Sequence, residues 1–199
     1  MHISTTARLL NPARALAIAL TVVVAACASP STPDLGPVKF TGQPIRLNAT
    51  AIEFVDQYRP PVAAPNVDHL MPQAPAAAVR TWAAARLQTG GTGGRIRVTI
   101  IDASVVAVKL PVRTGIAGTF YNEQDTRYDA AIEVSVEFLG TTQVQNAART
   151  RVVRSRTVAE DISINDRNQV WHDMLQSMMD DVDAQLSAGV RQYLAPVVL

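Results

Sequence analysis

The sequence predicts an α+β fold with the element order β-α-β-β-β-α, in which two helices cover one face of a mostly antiparallel sheet. Residues 95–110 and 128–139 alternate apolar and polar side chains as half-buried strands do. Apolar residues keep a helical spacing throughout residues 163–194. These observations together favour a single two-layer domain over residues 45–199.

The elements before the central strands are a strand, a loop and a short helix. A first strand is expected within residues 45–58. The five prolines of residues 59–75 make that stretch a loop, because proline cannot donate to a sheet ladder. The helix covers residues 76–89, with Pro75 in its first turn and two glycines directly after it. Its apolar stripe consists of Val79, Trp82, Ala83 and Leu87.

The last three strands are expected to form an antiparallel meander. The alternation of the first of them breaks near Ile101-Asp102, which predicts a β-bulge. A polar loop over residues 111–127 leads into the middle strand, and the last strand covers residues 145–158. Ser163 is suited to cap the long final helix.

Residues 1–26 have the composition of a secretory leader. Arg8 and Arg14 form a positively charged beginning, and the apolar run of residues 15–26 follows. A run of 12 residues is too short to cross a ~30 Å hydrocarbon core comfortably. Cleavage is therefore favoured over the alternative, a membrane-spanning helix.

The single cysteine, Cys27, ends the segment 24–27 (Val-Ala-Ala-Cys), which resembles a lipobox. By this resemblance Cys27 becomes the first mature residue and carries acyl chains such as palmitate, which anchor it in a membrane. Ala28, where an aspartate would favour the inner membrane, favours the outer membrane with the domain facing the periplasm. Residues 27–44 are rich in Pro, Ser, Thr and Gly and are predicted to form a flexible tether.

Charge and cysteine content argue against two classes of protein. The formal net charge is +1, and loss of the two leader arginines brings the mature chain near −1. A nearly neutral chain has no bulk field for nucleic acid, so no nucleic-acid partner is expected. One cysteine cannot build the disulfide framework of a small secreted domain.

No catalytic residue, metal site or cofactor is expected. The segment 90–94 (Gly-Gly-Thr-Gly-Gly) leaves a helix and enters a strand, whereas a phosphate loop joins a strand to a helix. A helix cap with a turn is the favoured interpretation. His69 and His172 have no second histidine or cysteine at ligand spacing. Without a triad or opposed carboxylates, a non-enzymatic protein is predicted.

Four arginines crowd the last strand: Arg149, Arg151, Arg154 and Arg156. With a bulge at Val152-Val153, all four would project from the outer face of the sheet. The favoured interpretation is cross-strand pairing with Glu133 and Glu137, which leaves a surplus of arginine. The alternative is a basic stripe that contacts anionic lipid headgroups or an acidic partner.

Phe120 and Tyr121 lie in the loop over residues 111–127. An exposed aromatic loop is suited to be a docking tip for a partner. Alternatively, one of the rings folds back and closes the core. The sequence does not decide between the two.

The lipobox, the tether and the element order together resemble a group of small Gram-negative envelope lipoproteins. The group includes the LPS-assembly lipoprotein and the auxiliary lipoproteins of ABC-type lipid transport systems. The resemblance is carried by the lipobox, the helix ending Arg86-Leu87, the strand opening Arg127-Tyr128 and the long last helix. It implies a non-enzymatic accessory protein of envelope assembly or lipid transport with an envelope protein partner. The alternative is a carrier of a lipid or small ligand, which needs an apolar cavity that the alanine-rich first helix disfavours.

Overall fold

The computed structural model describes residues 34–111, 124–140 and 144–199. The strands within these residues are β1 (Ile45–Leu47), β2 (Ala51–Asp56), β3 (Leu87–Thr89), β4 (Arg95–Lys109), β5 (Gln124–Leu139) and β6 (Val144–Ala159). The α-helices are α1 (Pro75–Arg86) and α2 (Ile164–Tyr193), and short 3-10 helices occur at Asp68–Leu70 and Ala195–Val197. The predicted leader, Cys27, Phe120 and Tyr121 lie outside the described residues.

The main sheet has the strand order β2-β4-β5-β6. β4, β5 and β6 pair antiparallel, as the sequence predicts, and β2 pairs parallel with β4. The β4–β5 register shifts between Ile100 and Asp102, so the predicted bulge is confirmed. The α+β class with a mostly antiparallel sheet is likewise confirmed.

Both helices lie against one face of the main sheet, called here the inner face. The guanidinium of Arg80 on α1 lies 4.8 Å from the ring centroid of Phe54 on β2. The ring of Trp171 on α2 meets Tyr128 on β5 edge to face, with centroids 5.1 Å apart. The register and the two-residue period of a strand place Phe54 and Tyr128 on the same face, which explains the two-layer architecture.

Large side chains fill the space between the helices and the sheet. The fully buried ones include Trp82, Trp171, Met174, Met178 and Met179 from the helices, and Ile96, Ile100 and Ile132 from the strands. Ser163 caps α2 by accepting the amide N–H of Asp166 at 3.1 Å, as predicted. No helix in the described ranges has both the length and the hydropathy needed to cross a bilayer.

The first predicted strand needs correction in its extent and its partners. The chain forms two strands there, and they belong to different sheets: β1 pairs parallel with β3, and β2 pairs parallel with β4. Between them the carboxamide oxygen of Asn48 accepts the amide N–H groups of Thr92 and Gly93 at 3.0 and 3.1 Å. The glycine-rich turn thus wraps around Asn48, and Gly94 takes a φ of +153° that side-chain-bearing residues rarely adopt.

The prediction for the end of the first helix is also corrected, because α1 stops at Arg86 and does not continue to Thr89. Leu87 adopts extended dihedrals, φ −114° and ψ 127°, and pairs with Ile45. In this conformation Leu87 is buried, with only 3% of its surface exposed. Burial and strand pairing outweigh the local preference for helix. Similarly, β5 begins at Gln124, inside the predicted loop, because it pairs with the far end of β4.

The end of the segment predicted as a tether contacts the domain. Val38 is buried, and its amide N–H donates to the side-chain oxygen of Gln73 at 2.8 Å. Lys39 exchanges two hydrogen bonds with the side chain of Gln176 on α2, at 2.9 and 3.0 Å. Residues 38–39 therefore belong to the packed structure.

Candidate binding face

The face of the main sheet opposite the helices, called here the outer face, is rich in charge. Its ionisable side chains in β4, β5 and β6 include Arg97, Asp102, Arg127, Asp129, Glu133, Glu137, Arg149 and Arg151, as the register and the alternation of each strand dictate. Because both helices pack on the inner face, they leave this surface uncovered. It is the candidate functional site.

Glu133 organises the charges at the centre of the outer face. Its Oε1 accepts hydrogen bonds from Nε of Arg149 at 2.7 Å and from Nη2 of the same residue, and its Oε2 accepts from Nη1 of Arg151 at 2.8 Å. Arg151 also pairs with Asp102 at 3.2 Å, across to β4. The hydrogen bonds from Arg151 and Arg149 hold the pKa of the Glu133 carboxyl below its usual value. These hydrogen bonds therefore favour the charged form of Glu133.

A second cluster of charges lies beside the one around Glu133. Arg127 donates to both oxygens of Asp129, at 2.9 Å from Nε and 2.8 Å from Nη2, in the bidentate geometry that orders both side chains. The hydroxyl of Ser155 donates to Asp129 at 2.6 Å from the neighbouring strand. The hydrogen bonds from Arg127 and Ser155 lower the pKa of Asp129.

These two charge clusters flank a hollow of about 430 Å³ on the outer face. Its lining includes Asp102, Ser104, Val106, Asp129, Ala131, Arg151, Val153 and Ser155. Val153 is 65% exposed, which is high for an apolar side chain of its size. An apolar centre surrounded by ordered charges has the composition of a protein-binding surface or of a shallow ligand site.

The structure separates the four arginines of the last strand into two pairs. The register of β5 with β6 has no shift from Thr126 opposite Val158 to Phe138 opposite Asn146, so the expected bulge at Val152-Val153 is absent from this described stretch. Val152 is buried and Val153 exposed, as an unbroken strand requires. The arrangement with all four arginines on the outer face, which required that bulge, is therefore not found.

Arg149 and Arg151 lie on the outer face, whereas Arg154 and Arg156 have the opposite parity. Arg154 pairs with Asp181 of α2 on the inner side. Arg156 is exposed, and its guanidinium donates to the backbone oxygen of Ser155 at 3.3 Å. Cross-strand pairing is found with Glu133 but not with Glu137, whose carboxylate instead accepts the hydroxyl of Ser135 at 3.0 Å.

A buried polar cluster, which the sequence did not reveal, joins the two helices. Arg86 on α1 is 4% exposed, and its Nε donates to Oδ1 of Asp183 on α2 at 2.6 Å. Its other nitrogens donate to the backbone oxygen of Gln43 and to the hydroxyl of Ser187. Trp82 Nε1 donates to the same Asp183 oxygen at 2.8 Å. The only sequence signal was the position of Arg86, seven residues after Val79 on the buried stripe of the helix.

The electrostatics of Asp183 reflect two opposing effects. Burial raises the pKa of its carboxyl, and the hydrogen bonds from Arg86, Trp82 and Ser187 lower it. The hydrogen bonds outweigh burial, so the pKa is lowered overall. Gly42 allows this arrangement, because a Cβ there would lie 2.3 Å from the Arg86 guanidinium carbon. The cluster fixes the two helices and the chain before β1 to one another.

The remaining candidate residues show no convergent chemistry. His69 is exposed and His172 is half-buried on α2. Within the described part of the chain, no group of three or more His, Cys, Asp or Glu residues is arranged to hold a metal ion. A further hollow of about 610 Å³ lies between residues 39–41 and α2.

No protein-family model and no curated protein matches the sequence. Among solved structures, the chain is similar to the crystal structure of rare lipoprotein B from Shewanella oneidensis. The identity is 10% and the TM-score 0.35, and the match covers 72% of this chain and 98% of that chain. This is a coarse resemblance to a lipoprotein, and no site residue is transferred from it.

Proposed function

We propose that this protein is a lipoprotein of the Gram-negative envelope, anchored through Cys27 in the outer membrane with its domain in the periplasm. It acts without catalysis, as an accessory component of envelope assembly or lipid transport, by binding an envelope protein. The observation that carries the proposal is the outer face, which neither described helix covers and where ordered charges surround the exposed Val153. The lipobox-like segment 24–27 supports the anchor.

The outer face is suited to binding because its charges are already arranged. Arg149, Arg151 and Glu133 hold one another in fixed positions, so a partner need not order them on association. Charges that surround an apolar spot provide specificity, while the apolar contact provides affinity. Phe120 and Tyr121, outside the described residues, remain proposed contributors to partner contact.

The second candidate function is a carrier of a lipid or small ligand. The hollow of about 430 Å³ on the outer face favours a small ligand, because ligand sites typically measure ~300–1,000 Å³. The interface between helices and sheet offers little support for a lipid cavity, since Trp82, Trp171 and Met178 fill it. We therefore rank protein binding first.

The anchor predicts that Cys27→Ser releases the chain from the membrane. We expect the wild-type chain, expressed in a Gram-negative bacterium, to sediment with membranes and to show the mass of added acyl chains. Cys27→Ser should show neither property, because several acyl chains contribute ~0.8 kcal/mol for each buried methylene. Ala28→Ser, one residue along, should behave as wild type. Membrane sedimentation of Cys27→Ser equal to wild type would reject the anchor.

The binding face predicts a difference between two equally exposed apolar residues. Val153 on the outer face is 65% exposed, and Ile164 at the start of α2 is 67% exposed. A photo-cross-linking amino acid at Val153 should capture one envelope protein in native membranes, whereas the same group at Ile164 should not. Val153→Asp should weaken the purified complex by roughly tenfold, as loss of a central contact does. Equal capture at both positions would contradict the proposal, and a co-purifying small molecule displaced by Val153→Asp would favour the carrier.

A further inference from the structure

β6 forms an edge of the main sheet along its whole length. It spans 16 residues and pairs on one side with β5, and no strand of the described chain lies beyond it. Its helix-facing side is covered by α2, as the packing of Gly189 against Ala148 illustrates, and among the described residues only β5 pairs with its backbone. A row of backbone donors and acceptors on this edge is therefore open to a further strand.

This edge lacks most of the features that protect natural sheet edges. Such edges are usually short, or carry proline, a bulge or charged side chains, lysine above all. β6 is longer than the typical strand of ~5–6 residues, and residues 144–159 contain neither proline nor lysine. Its register stays regular from Asn146 to Val158. Its four arginines are the protective feature that it does have, so the edge favours a strand that complements their charge.

The charge of β6 selects which strand it accepts. The strand carries Arg149, Arg151, Arg154 and Arg156 and no acidic residue. The first two lie on the outer face and the last two on the inner face, so both sides of the edge carry guanidinium groups. Arg149, Arg151 and Arg154 also pair with acidic residues of this chain. Arg156 forms no ion pair within the described residues. An incoming strand in the plane of the sheet passes within reach of all four guanidinium groups.

A second copy of this chain fits poorly at the edge. In a two-fold antiparallel pairing the outer faces of both copies coincide, so a pairing centred on Val153 would place Arg151 against Ser155 and Arg149 against Thr157. The two β6 strands would bring their arginines together without any acidic residue of their own, and like charges close together destabilise a sheet. A flat anionic membrane also fits less well, because it meets only one face of the sheet and so only half of the arginines.

We infer that β6 accepts an extended, acidic segment of the partner protein as a fifth strand of the main sheet. The inference rests on the proposed function and names the chemistry of its partner. Backbone hydrogen bonds supply the affinity, and acidic residues at alternate positions of the segment meet Arg149 and Arg151 on one face. Acidic residues at the intervening positions of the segment meet Arg156 on the other face of the sheet.

The test uses the full lipidated chain in detergent and a peptide of about ten residues, the length of a strand, in which pairs of glutamates alternate with pairs of threonines so that each face carries glutamate. Hydrogen exchange is read at single amides. We expect added protection at every second amide of residues 146–158, because the intervening amides already bond to β5. The same peptide with lysine in place of glutamate should give no protection.

Two variants with the same charge change sharpen the test. Arg156→Glu should weaken binding of the glutamate peptide about fivefold, as loss and reversal of one cross-strand pair predicts. Arg59→Glu, at an exposed position beyond β2 on the other side of the sheet, should leave it unchanged. Added salt should weaken binding to the wild type.

Three outcomes overturn the inference. They are equal binding of the lysine peptide, a dimer whose β6 amides are protected without peptide, and protection by anionic vesicles but not by the peptide. Cross-linking at Val153 separates this inference from the proposed function. If Val153 cross-links to an envelope protein but the peptide does not bind, only the inference of an acidic fifth strand is rejected. If the peptide binds but the chain is neither anchored nor cross-linked to an envelope protein, the proposed envelope role is rejected.

Discussion

Replacing Arg86 by methionine is expected to lower the free energy of unfolding by about 3–5 kcal/mol, the usual cost of breaking a buried ion pair on one side. Methionine keeps most of the aliphatic stem but leaves Asp183 without its guanidinium partner. That carboxylate side chain is only 20% exposed, so water cannot replace the lost hydrogen bond fully. The backbone oxygen of Gln43 and the hydroxyl of Ser187 lose their donor as well.

The control is Arg80→Met, which removes another arginine of α1 that pairs with an aspartate. The side chains of Arg80 and Asp56 are 42% and 49% exposed, so solvent screens their attraction. The expected loss is at most about 1–2 kcal/mol, including the stacking of Arg80 on Phe54. Urea unfolding followed by circular dichroism at neutral pH measures both values. Equal losses of unfolding free energy for the two variants would show that burial of the Arg86 ion pair does not increase its contribution to stability.

Arg86→Met should also change how the free energy of unfolding depends on pH. The pKa of Asp183 is lowered in the folded protein, so its carboxylate stabilises the fold above the unfolded value, about 4. This contribution is lost as the pH falls through the lower, folded pKa. Without Arg86, burial is opposed by fewer hydrogen bonds, the folded pKa rises, and less of this stability is present at any pH. Unfolding measured between about pH 3 and 7 should therefore show a shallower acid loss in Arg86→Met.

Two other carboxyls also contribute to the pH dependence, so the role of Asp183 is measured as the difference between wild type and Arg86→Met. The pKa values of Asp129 and Glu133 are also lowered, so both contribute to acid loss in every variant. They lie on the outer face, on the side of the sheet away from Arg86. Their contributions should cancel in the difference between wild type and variant. An identical pH dependence for the two proteins would contradict the role assigned to Asp183.

The sequence predicted the elements whose pattern is long enough to be unambiguous. β5 alternates buried and polar residues over its length, and α2 keeps one apolar stripe for 30 residues. The bulge at Ile100–Asp102 was visible because alternation has a period of two, and an extra residue inverts it. Short elements contain too few residues to show a period. The three residues of β3 continue a helical pattern and become a strand only through pairing with β1.

The buried polar cluster and the candidate site were less predictable, because their geometry depends on distant partners. An arginine on a helical stripe is buried only if an acid meets it, and Asp183 lies 97 residues from Arg86. The arginines of β6 illustrate the same limit. Their spacing is compatible with one face if a bulge occurs, and with two faces if it does not. Only the register with β5 decides, and it places Arg154 and Arg156 opposite to Arg149 and Arg151 in parity.

Trp171→Ala is expected to destabilise the domain by about 3–5 kcal/mol, the range for truncating a large buried aromatic residue. The indole is 1% exposed and fills the interface between α2 and the sheet. It contacts the ring of Tyr128 edge to face, and the guanidinium of Arg167 lies 4.7 Å from its centroid. Alanine removes all three contributions and leaves a cavity where the helix crosses the sheet.

Substitution by phenylalanine distinguishes the two buried tryptophans. Trp82 Nε1 donates to the charged Asp183, whereas Trp171 Nε1 is buried without a hydrogen-bond partner among the described residues. Trp82→Phe should lose a hydrogen bond to a charged group, about 1.5–3 kcal/mol, in addition to the smaller ring volume. Trp171→Phe loses volume but also removes an unsatisfied donor, so it should cost about 1–2 kcal/mol less than Trp82→Phe.

Urea unfolding of the two phenylalanine variants under identical conditions checks this difference. Both rings are almost fully buried, so a simple loss of packing would affect them alike. A larger loss for Trp82→Phe assigns the excess to the bond with Asp183. Combined with Arg86→Met, Trp82→Phe should then be non-additive, because both side chains donate to the same carboxylate oxygen. Equal losses for the two phenylalanine variants, or additivity with Arg86→Met, would mean that the hydrogen bond from Trp82 to Asp183 does not stabilise the contact between α1 and α2.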